Sequence, residues 1–222
     1  MRAVIVASGD LDSADAGWLE GASLVVAADG GAASLERLGR RPDVLVGDLD
    51  SVPGALVDRL RADGVPVERH PTDKEASDTE LALRRAMSAG ADEIIVLGAV
   101  GGERLDHQLA NLLLLADPAL AGLAVRIVHG PTTVRVARGG EELELAGRVD
   151  DLVTLLPIGG DAHGVTTDGL RWQLAAATLS MGPSRGLSNV VARAPASVSL
   201  EEGTLLVVET ATRHEPSEGA QP

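Results

Sequence analysis

Six short apolar runs alternate with helix-like stretches over the first ~130 residues, and this alternation constrains the fold more than any other feature. The runs lie at residues 3–7, 24–28, 44–46, 65–68, 94–97 and 125–128. They are nearly continuous in Val, Ile, Leu and Ala, as expected for strands covered on both faces. Helices are predicted between them at 13–20, 32–38, 53–62, 79–89 and 105–115. This rhythm predicts a Rossmann-like α/β fold with a parallel sheet and right-handed crossovers.

The pattern changes after Gly130 and Pro131. Short strand-like pieces separated by glycine turns lie at 132–137, 141–145, 152–156, 164–167, 189–194, 197–200 and 204–209. Such spacing predicts a small antiparallel β-sandwich or roll. We therefore expect an α/β domain at 1–131 and a β domain at 132–211. The composition of 212–222 predicts a disordered tail.

Composition limits the partners of this chain. It has 222 residues and no cysteine, which excludes a disulfide framework and thiol chemistry. The apolar run at the start is too short for a signal peptide, and no run reaches the ~18 residues of a membrane span, so a cytoplasmic protein without a membrane partner is expected. The formal net charge of −14 argues against nucleic-acid binding, which needs Lys and Arg to neutralise phosphates. A small phosphate ligand remains compatible, because a metal ion can reverse the local charge.

Two carboxylates, Asp48 and Asp50, follow the third predicted strand directly after Gly47. In extended backbone, residues i and i+2 point to the same side, so the two acids are expected to lie a few ångströms apart. Such proximity raises one pKa unless a cation separates the charges. A hard divalent ion, Mg²⁺ or Mn²⁺, would take these oxygen ligands and keep sites free for a phosphate. The alternative is a turn with two solvated acids.

Two further loops follow predicted strands and suit an anion or a metal. After the second strand, Gly30 and Gly31 would let backbone N–H groups approach an anion. Residues 70–81, after the fourth strand, include four acids and one lysine, Lys74. Within this loop Asp78 is predicted as the N-cap of the next helix. The alternatives are a simple turn and a solvated, charged loop.

The loop after the fifth strand combines glycines with charged side chains. Gly101 and Gly102 allow a ligand to approach the backbone closely. Arg104 can bind a phosphate with two N–H groups of its planar guanidinium. Asp106 and His107 lie at the start of the next predicted helix. Because the carboxyl ends of parallel strands meet at one edge of a sheet, the four loops together predict a pocket for a metal–nucleotide and phosphoryl or pyrophosphoryl transfer. The chain has neither a P-loop nor a dinucleotide fingerprint, which argues against those classes.

Seven short motifs occur in order along the chain, at residues 29–31, 47–51, 74–83, 101–107, 168–174, 179–182 and 186–189. In this order and spacing they resemble the thiamine pyrophosphokinase (thiamine diphosphokinase) family, over nearly the whole chain. The resemblance implies transfer of the terminal pyrophosphate of ATP to the hydroxyethyl oxygen of thiamine, which gives thiamine diphosphate and AMP. It also implies Mg²⁺, with Mn²⁺ as an alternative, and a homodimer that holds thiamine between the α/β domain of one subunit and the β domain of the other.

The resemblance also implies roles for individual residues. The metal would be held by Asp48, Asp50 and Asp78, which with Arg104 form the expected catalytic set. The nucleotide side would comprise Asp29, Gly30, Gly31, Ser51, Asp73, Lys74, Gly102, Arg104, Asp106 and His107. Thiamine would contact Asp78, Trp172, Ser188 and Asn189. The family commonly has Lys-Asp-x-Thr-Asp where this chain has residues 74–78, and here Glu75 and Ser77 keep the charge and the hydroxyl.

Several alternatives remain open from the sequence. The thiamine hydroxyl proton could pass to Asp78 or Asp73. Trp172, the one aromatic residue of the second half, could stack on thiamine or belong to the core. A related enzyme that acts on another alcohol, such as a pterin, would share the first-half motifs without needing residues 186–189. A non-catalytic thiamine or nucleotide sensor is the third possibility, although it would not need so many placed carboxylates.

Overall fold

The computed structural model describes residues 1–11 and 13–212. Contacts divide the chain into a first unit, Met1–Gly130, and a second unit that begins at Pro131. Thr212, the first residue of the predicted tail, donates its N–H to the Asp151 carboxylate at 2.9 Å, so an ordered contact extends to that residue. The rest of the predicted tail, 213–222, lies outside the described residues.

The first unit contains a parallel sheet whose strands alternate with helices. Its strands are β1 Arg2–Val6, β2 Leu24–Ala28, β3 Val44–Gly47, β4 Val67–Arg69, β5 Glu93–Leu97 and β6 Ala124–His129. They lie in the order β6-β5-β1-β2-β3-β4, and each neighbouring pair is parallel. The helices are α1 Gly31–Arg37, α2 Gly54–Ala62, α3 Asp78–Ser88 and α4 Leu105–Leu114. The predicted α/β fold class is confirmed.

The apolar runs form the centre of this unit, since β1, β3 and β5 are buried along almost their whole length. Val4, Leu45 and Ile95 belong to one buried cluster with residues of α1 and α2. The segment predicted as a helix at 13–20 is instead a 3-10 helix, Ser13–Leu19. Within it Asp15 is fully buried, and its carboxylate accepts the N–H of Gly130 at 2.9 Å.

The N-terminus of α3 differs from the prediction in a way that matters for the site. Ser77, not Asp78, is the N-cap, and its Oγ accepts the N–H of Glu80 at 3.2 Å. A Ser cap of this kind satisfies one of the free N–H groups of the first turn. Asp78 is therefore the first helical residue, and its carboxylate is not used by the cap.

The second unit is built from antiparallel strands. They are β7 Thr132–Arg138, β8 Glu142–Leu145, β9 Leu152–Pro157, β10 Ala162–Asp168, β11 Ala177–Leu179, β12 Asn189–Val190, β13 Ala196–Ser199 and β14 Thr204–Thr210. One group pairs in the order β12-β9-β14-β7 and the other in the order β11-β10-β13-β8. Leu155 and Leu205 of the first group share a buried cluster with Val165 and Val198 of the second, as in a β-sandwich. Strand β11 was not predicted, and β12 is shorter than expected.

None of the helices in the described part of the chain combines the length and the apolar character that a membrane-crossing segment requires.

Candidate active site

The carboxyl ends of the parallel strands place the predicted loops along one edge of the first unit. From β1 the chain proceeds outward through β2, β3 and β4 on one side, and through β5 and β6 on the other. In open α/β sheets, ligands bind outside the carboxyl ends of the strands, near the point where the strand order reverses. The loops after β1, β2, β3 and β5 are therefore the ones expected to contact a ligand.

Three carboxylates meet at this edge. One oxygen of each of Asp29, Asp48 and Asp78 lies within 4.8 Å of the others. Asp29 follows β2, Asp48 follows β3, and Asp78 begins α3. Three acids this close together repel one another unless positive charge separates them, so the arrangement suits a cation.

Gly47 makes this approach possible. Its φ is +149°, and a Cβ at this position would lie 3.1 Å from Asp29 Cβ and 3.2 Å from Asp78 Oδ1. Any side chain here would push Asp29 and Asp78 apart while also straining the backbone. The glycine before Asp48 thus has a steric function in assembling the acids.

Lys74 supplies a positive charge beside two of the acids. Its Nζ lies 3.3 Å from Asp48 Oδ2 and 3.0 Å from Asp78 Oδ1. Burial raises the pKa of Asp48, but hydrogen bonds from the Asp50 N–H and from Lys74 outweigh it and hold that pKa below its ordinary value. Burial lowers the pKa of Lys74, but its contacts with Asp78 and Asp48 outweigh it and raise that pKa. The ammonium group therefore performs part of the charge compensation that a metal ion would provide.

Asp29 retains a buried oxygen without a hydrogen-bond partner. Asp29 is only 4% exposed, and its Oδ1 is buried without a hydrogen bond. Asp78 Oδ1 is also buried, and the Lys74 ammonium 3.0 Å away is the partner described above for it. Burial raises the pKa of Asp29, and the charges of Asp78 and Asp50 act in the same direction against hydrogen bonds from Ser51 and Gly30. Buried carboxylate oxygens without a donor are the ligands that a hard cation takes, so this trio fits a divalent metal.

The expected extended backbone between Asp48 and Asp50 is wrong, although the two acids do lie in contact with each other. Leu49 between them has a φ of +67°, so the chain turns after Asp48. Asp50 is exposed, its N–H donates to Asp48 Oδ1 at 3.3 Å, and its Oδ1 accepts Ser51 Oγ–H at 2.9 Å. Asp29 takes the third place in the trio, while a role of Asp50 as a metal ligand stays a prediction.

The charged residues of the loop after β5 lie at the surface. The Arg104 guanidinium donates to both Asp106 oxygens, at 2.9 and 2.6 Å, and both side chains are largely exposed. Arg104 holds the pKa of Asp106 well below its usual range. His107 and Gly102 are exposed, and so is Asp73 in the loop before α3. Their predicted nucleotide contacts remain predictions.

The two glycines that begin α1 have different surroundings. A Cβ on Gly31 would lie 1.9 Å from the backbone oxygen of Val6, so this glycine is required by the packing of α1 on β1. A Cβ on Gly30 would meet Ser8 Oγ at 3.1 Å. The steric need explains Gly31 without a ligand, and the predicted nucleotide contacts of both glycines stay predictions.

The loop after β1, which was not predicted to reach the ligand edge, lies there as well. There Asp10 Oδ2 accepts the N–H of Gly102 at 2.9 Å, and the Gly9 N–H donates to Gly98 O at 2.8 Å. Gln108 and Asn111 of α4 also bond to the loop after β5. The rule applied to the other strands, that polar residues after a strand reach the ligand edge, would have identified Asp10.

The second unit has a pocket of about 330 Å³ beside the predicted thiamine residues. The residues that line it are Leu155, Trp172, Gln173, Leu174, Arg185, Gly186, Leu187 and Asn189. Trp172 is 58% exposed, which rules out the core interpretation of this residue. The Arg171 guanidinium lies over the Trp172 ring, 5.7 Å from its centroid, and the exposed indole also lines the pocket, where it can stack on a flat ligand.

Asn189 holds the backbone of Trp172 in place. Its Nδ2 donates to Trp172 O at 2.7 Å, and its Oδ1 accepts the Trp172 N–H at 3.1 Å. Ser188 has a φ of +57°, and its N–H donates to Thr154 Oγ1 at 3.0 Å. The side-chain amide of Asn189 is thus already engaged, so its clearest function is to position the tryptophan.

A parallel α/β unit with three clustered carboxylates, a lysine and glycine loops at its ligand edge is typical of nucleotide-dependent phosphoryl-transfer enzymes. Comparisons with known proteins identify the family within this class. The model of the thiamin pyrophosphokinase catalytic domain matches residues 16–127, and that of the thiamin pyrophosphokinase vitamin B1 binding domain matches residues 142–205. The chain belongs to the thiamin pyrophosphokinase family.

Individual relatives agree with this assignment. Thiamine pyrophosphokinase of Bacillus subtilis (strain 168) is 23% identical over 87% of this chain and 90% of its own length. The solved thiamin pyrophosphokinase of Geobacillus thermodenitrificans is 27% identical, with a TM-score of 0.81 over 98% of this chain and 99% of that one. The solved Bacillus subtilis structure, at 24% identity, shares the fold with a TM-score of 0.85 over 95% and 99% of the two chains. The predicted reaction, ATP-dependent pyrophosphorylation of thiamine, is confirmed by this membership, and the match to a vitamin B1 binding domain disfavours the pterin alternative.

Proposed function

We propose that Asp29, Asp48 and Asp78 hold the divalent cation that this reaction uses, and that the pocket beside Trp172 receives thiamine. The observation that carries the first assignment is the trio itself, in which Asp29 has a buried oxygen without a hydrogen bond. This set differs from the one expected from sequence in one member, because Asp29 takes the place of Asp50.

The donor set favours Mg²⁺ or Mn²⁺, since all three side chains offer oxygen and none offers nitrogen or sulfur. When bound, such an ion neutralises the negative charge of the triphosphate oxygens that would otherwise repel the attacking alcohol. Lys74, held between Asp48 and Asp78, is placed to add positive charge beside the same oxygens. Arg104, which is exposed and paired only with the neighbouring Asp106 in the contacts described above, is placed to exchange that partner for a phosphate.

In this reaction the hydroxyethyl oxygen of thiamine forms a bond to the β-phosphorus of ATP. The bond from that phosphorus to the α-phosphate oxygen breaks, and AMP leaves with the electron pair. The hydroxyl proton must pass to a base near the acids. Asp73 and Asp78 remain the two candidates, of which Asp78 lies inside the trio and Asp73 is exposed.

Trp172 is proposed to stack on thiamine. Replacing Trp172 by Ala is expected to raise the KM for thiamine by roughly ten- to a hundredfold, because stacking on an aromatic face contributes about 1–3 kcal/mol in comparable sites. The KM for ATP should change less than about twofold. Steady-state kinetics with each substrate varied in turn measures both.

Two further variants sharpen this test. Trp172→Phe keeps a ring and should recover most of the affinity for thiamine. Met181→Ala removes another exposed apolar side chain of the same unit, 57% exposed, and should have no effect on either KM. Equal thiamine KM values for Trp172→Ala and the unmodified protein would remove the indole from the site.

A homodimer with shared active sites is proposed as the working assembly. Leu105, Leu109 and Leu113 occur at i, i+4 and i+8 of α4, and each is at least 52% exposed. Three leucines in line on one helix face form an apolar surface of the kind that a protein partner covers. Leu109→Glu is expected to convert a dimer into monomers in sedimentation. Arg61→Glu, a change on the exposed face of α2, should leave the dimer intact. A dimer unaffected by Leu109→Glu would place the interface elsewhere. The expected cytoplasmic location stays a prediction.

The reaction is tested directly by its products. ATP, Mg²⁺ and thiamine with the protein should give AMP and thiamine diphosphate in equal amounts, and omission of thiamine should abolish AMP formation. Thiamine-dependent ADP without AMP would contradict pyrophosphoryl transfer. Calorimetric thiamine binding with no AMP under Mg²⁺ or Mn²⁺ would instead support a sensor.

A further inference from the structure

The loop between β5 and α4 has an unusual backbone that other side chains hold in place. Gly98, Gly101 and Gly102 have φ values of +63°, +85° and +82°. Glycine enters this region readily, but it loses more conformational freedom on ordering than any other residue. A five-residue segment with three such glycines needs external contacts to adopt one conformation.

Two residues of α4 and one of the β1 loop provide these contacts. The Asn111 Nδ2 group donates to Ala99 O at 2.8 Å. Gln108 uses both ends of its amide, since Oε1 accepts the Gly101 N–H at 3.1 Å and Nε2 donates to Gly102 O at 3.2 Å. Asp10 Oδ2 accepts the Gly102 N–H at 2.9 Å from the other side. Both N–H groups of the glycine pair are thereby fixed by side chains.

The tied loops border the point where the strand order reverses. Strands β1 and β5 are parallel neighbours, and their following loops are joined by the Gly9 N–H to Gly98 O bond at 2.8 Å and by the Asp10 bond to Gly102. A Cβ on Gly101 would lie only 2.8 Å from Asp10 Cβ, so the two loops are in close contact. Arg104 lies only two residues after Gly102, and its position therefore depends on where that glycine is held.

We propose that Asp10 and Gln108 are positioning residues for the nucleotide, which fix the backbone of Gly101 and Gly102 and through it the place of Arg104. The inference rests on the proposed nucleotide side at Gly102 and Arg104. Asp10 acts as a hydrogen-bond acceptor and not as a charge, so a neutral acceptor of the same shape fulfils its role. Gln108 acts as a simultaneous acceptor and donor, which alanine cannot replace.

The test compares Asp10→Ala with Asp10→Asn. Loss of the acceptor should weaken binding of a non-hydrolysable ATP analogue with Mg²⁺ by roughly tenfold, as expected for one lost hydrogen bond to a backbone N–H. Asp10→Asn keeps an acceptor oxygen and should bind within about twofold of the unmodified protein. Gln108→Ala should match Asp10→Ala. In turnover, the KM for ATP should rise in both alanine variants, while kcat and the KM for thiamine stay within about twofold.

Asp43→Ala is the matched control. Asp43 Oδ2 also accepts a backbone N–H, that of Val25, at 2.7 Å. Asp43, however, directly precedes β3 and does not belong to a loop after a strand, where the ligand edge lies. It should leave nucleotide affinity unchanged. Unchanged affinity in Asp10→Ala, or equal losses in Asp10→Asn and Asp10→Ala, would overturn the proposal. If Asp10→Ala does not fold, Gln108→Ala decides in its place, and unchanged affinity there overturns the proposal. The binding assay contains no thiamine and so does not depend on turnover. A protein that binds the nucleotide but forms no AMP would refute the proposed function, and the comparison of nucleotide affinities among the variants would still test the positioning role.

Discussion

Replacing Asp48 by Asn is expected to reduce AMP formation by more than about a hundredfold while the protein remains folded. The substitution keeps the shape of the side chain but removes one of three charges that are proposed to hold the metal beside the triphosphate. Loss of a single preorganised electrostatic contact in a transition state commonly costs a factor of 10² to 10³ in rate. The rate of thiamine-dependent AMP release, with circular dichroism to confirm folding, measures the effect.

Two other Asp→Asn changes make this result specific. Asp58 lies on α2 with 81% of its side chain exposed, and Asp58→Asn should leave AMP formation unchanged. Asp50→Asn distinguishes the metal site expected from sequence, which includes Asp50, from the trio in the structure, which includes Asp29 instead. Asp50 is exposed and is not a member of the trio. We expect a smaller loss for Asp50→Asn than for Asp29→Asn. Near-normal turnover in Asp48→Asn would remove that residue from the metal site.

Replacing Gly31 by Ala is expected to lower the free energy of unfolding by about 3 kcal/mol or more. The added Cβ would lie 1.9 Å from Val6 O, which is backbone of the central strand β1 and has no flexible end to move aside. Added atoms in packed cores typically cost 1–3 kcal/mol, and a contact with rigid backbone belongs at or above the upper limit. Urea unfolding followed by circular dichroism gives the value.

Gly54→Ala is the control for this change, since Gly54 is likewise the first residue of a helix, α2, and a Cβ there would meet nothing within 4 Å. This variant should be as stable as the unmodified protein or more stable by up to about 1 kcal/mol, because alanine favours helix over glycine. Equal stability of the two alanine variants would show that α1 can move away from β1.

The first unit could be predicted almost completely from sequence, because its strands are apolar runs and its helices lie between them. Asp29, Asp48 and Asp78 were each identified from their position after a strand or at the start of a helix. Their arrangement could not be predicted, because it depends on backbone angles that residue type does not reveal. Leu49 adopts a φ of +67°, which leucine seldom does, and the chain therefore turns between Asp48 and Asp50.

Other features depend on hydrogen bonds whose partners the residue types do not specify. The cap of α3 belongs to Ser77, which leaves Asp78 available for the trio, although both residues are good caps by type. The tie between Asp10 and Gly102 joins residues 92 positions apart. The bond from Asn189 to the backbone of the exposed Trp172 joins residues 17 positions apart, and the sequence pattern does not show it.

The central claim is that Asp29, Asp48 and Asp78 share one divalent ion, and a crystal structure with Mn²⁺ and a non-hydrolysable ATP analogue tests it most directly. Anomalous scattering locates the ion without reference to the protein. We predict an Mn²⁺ peak within about 2.2 Å of a carboxylate oxygen from each of the three residues, with further sites taken by phosphate oxygens. An ion bound by Asp48 and Asp50 but not by Asp29, or no ion at these carboxylates, would contradict it.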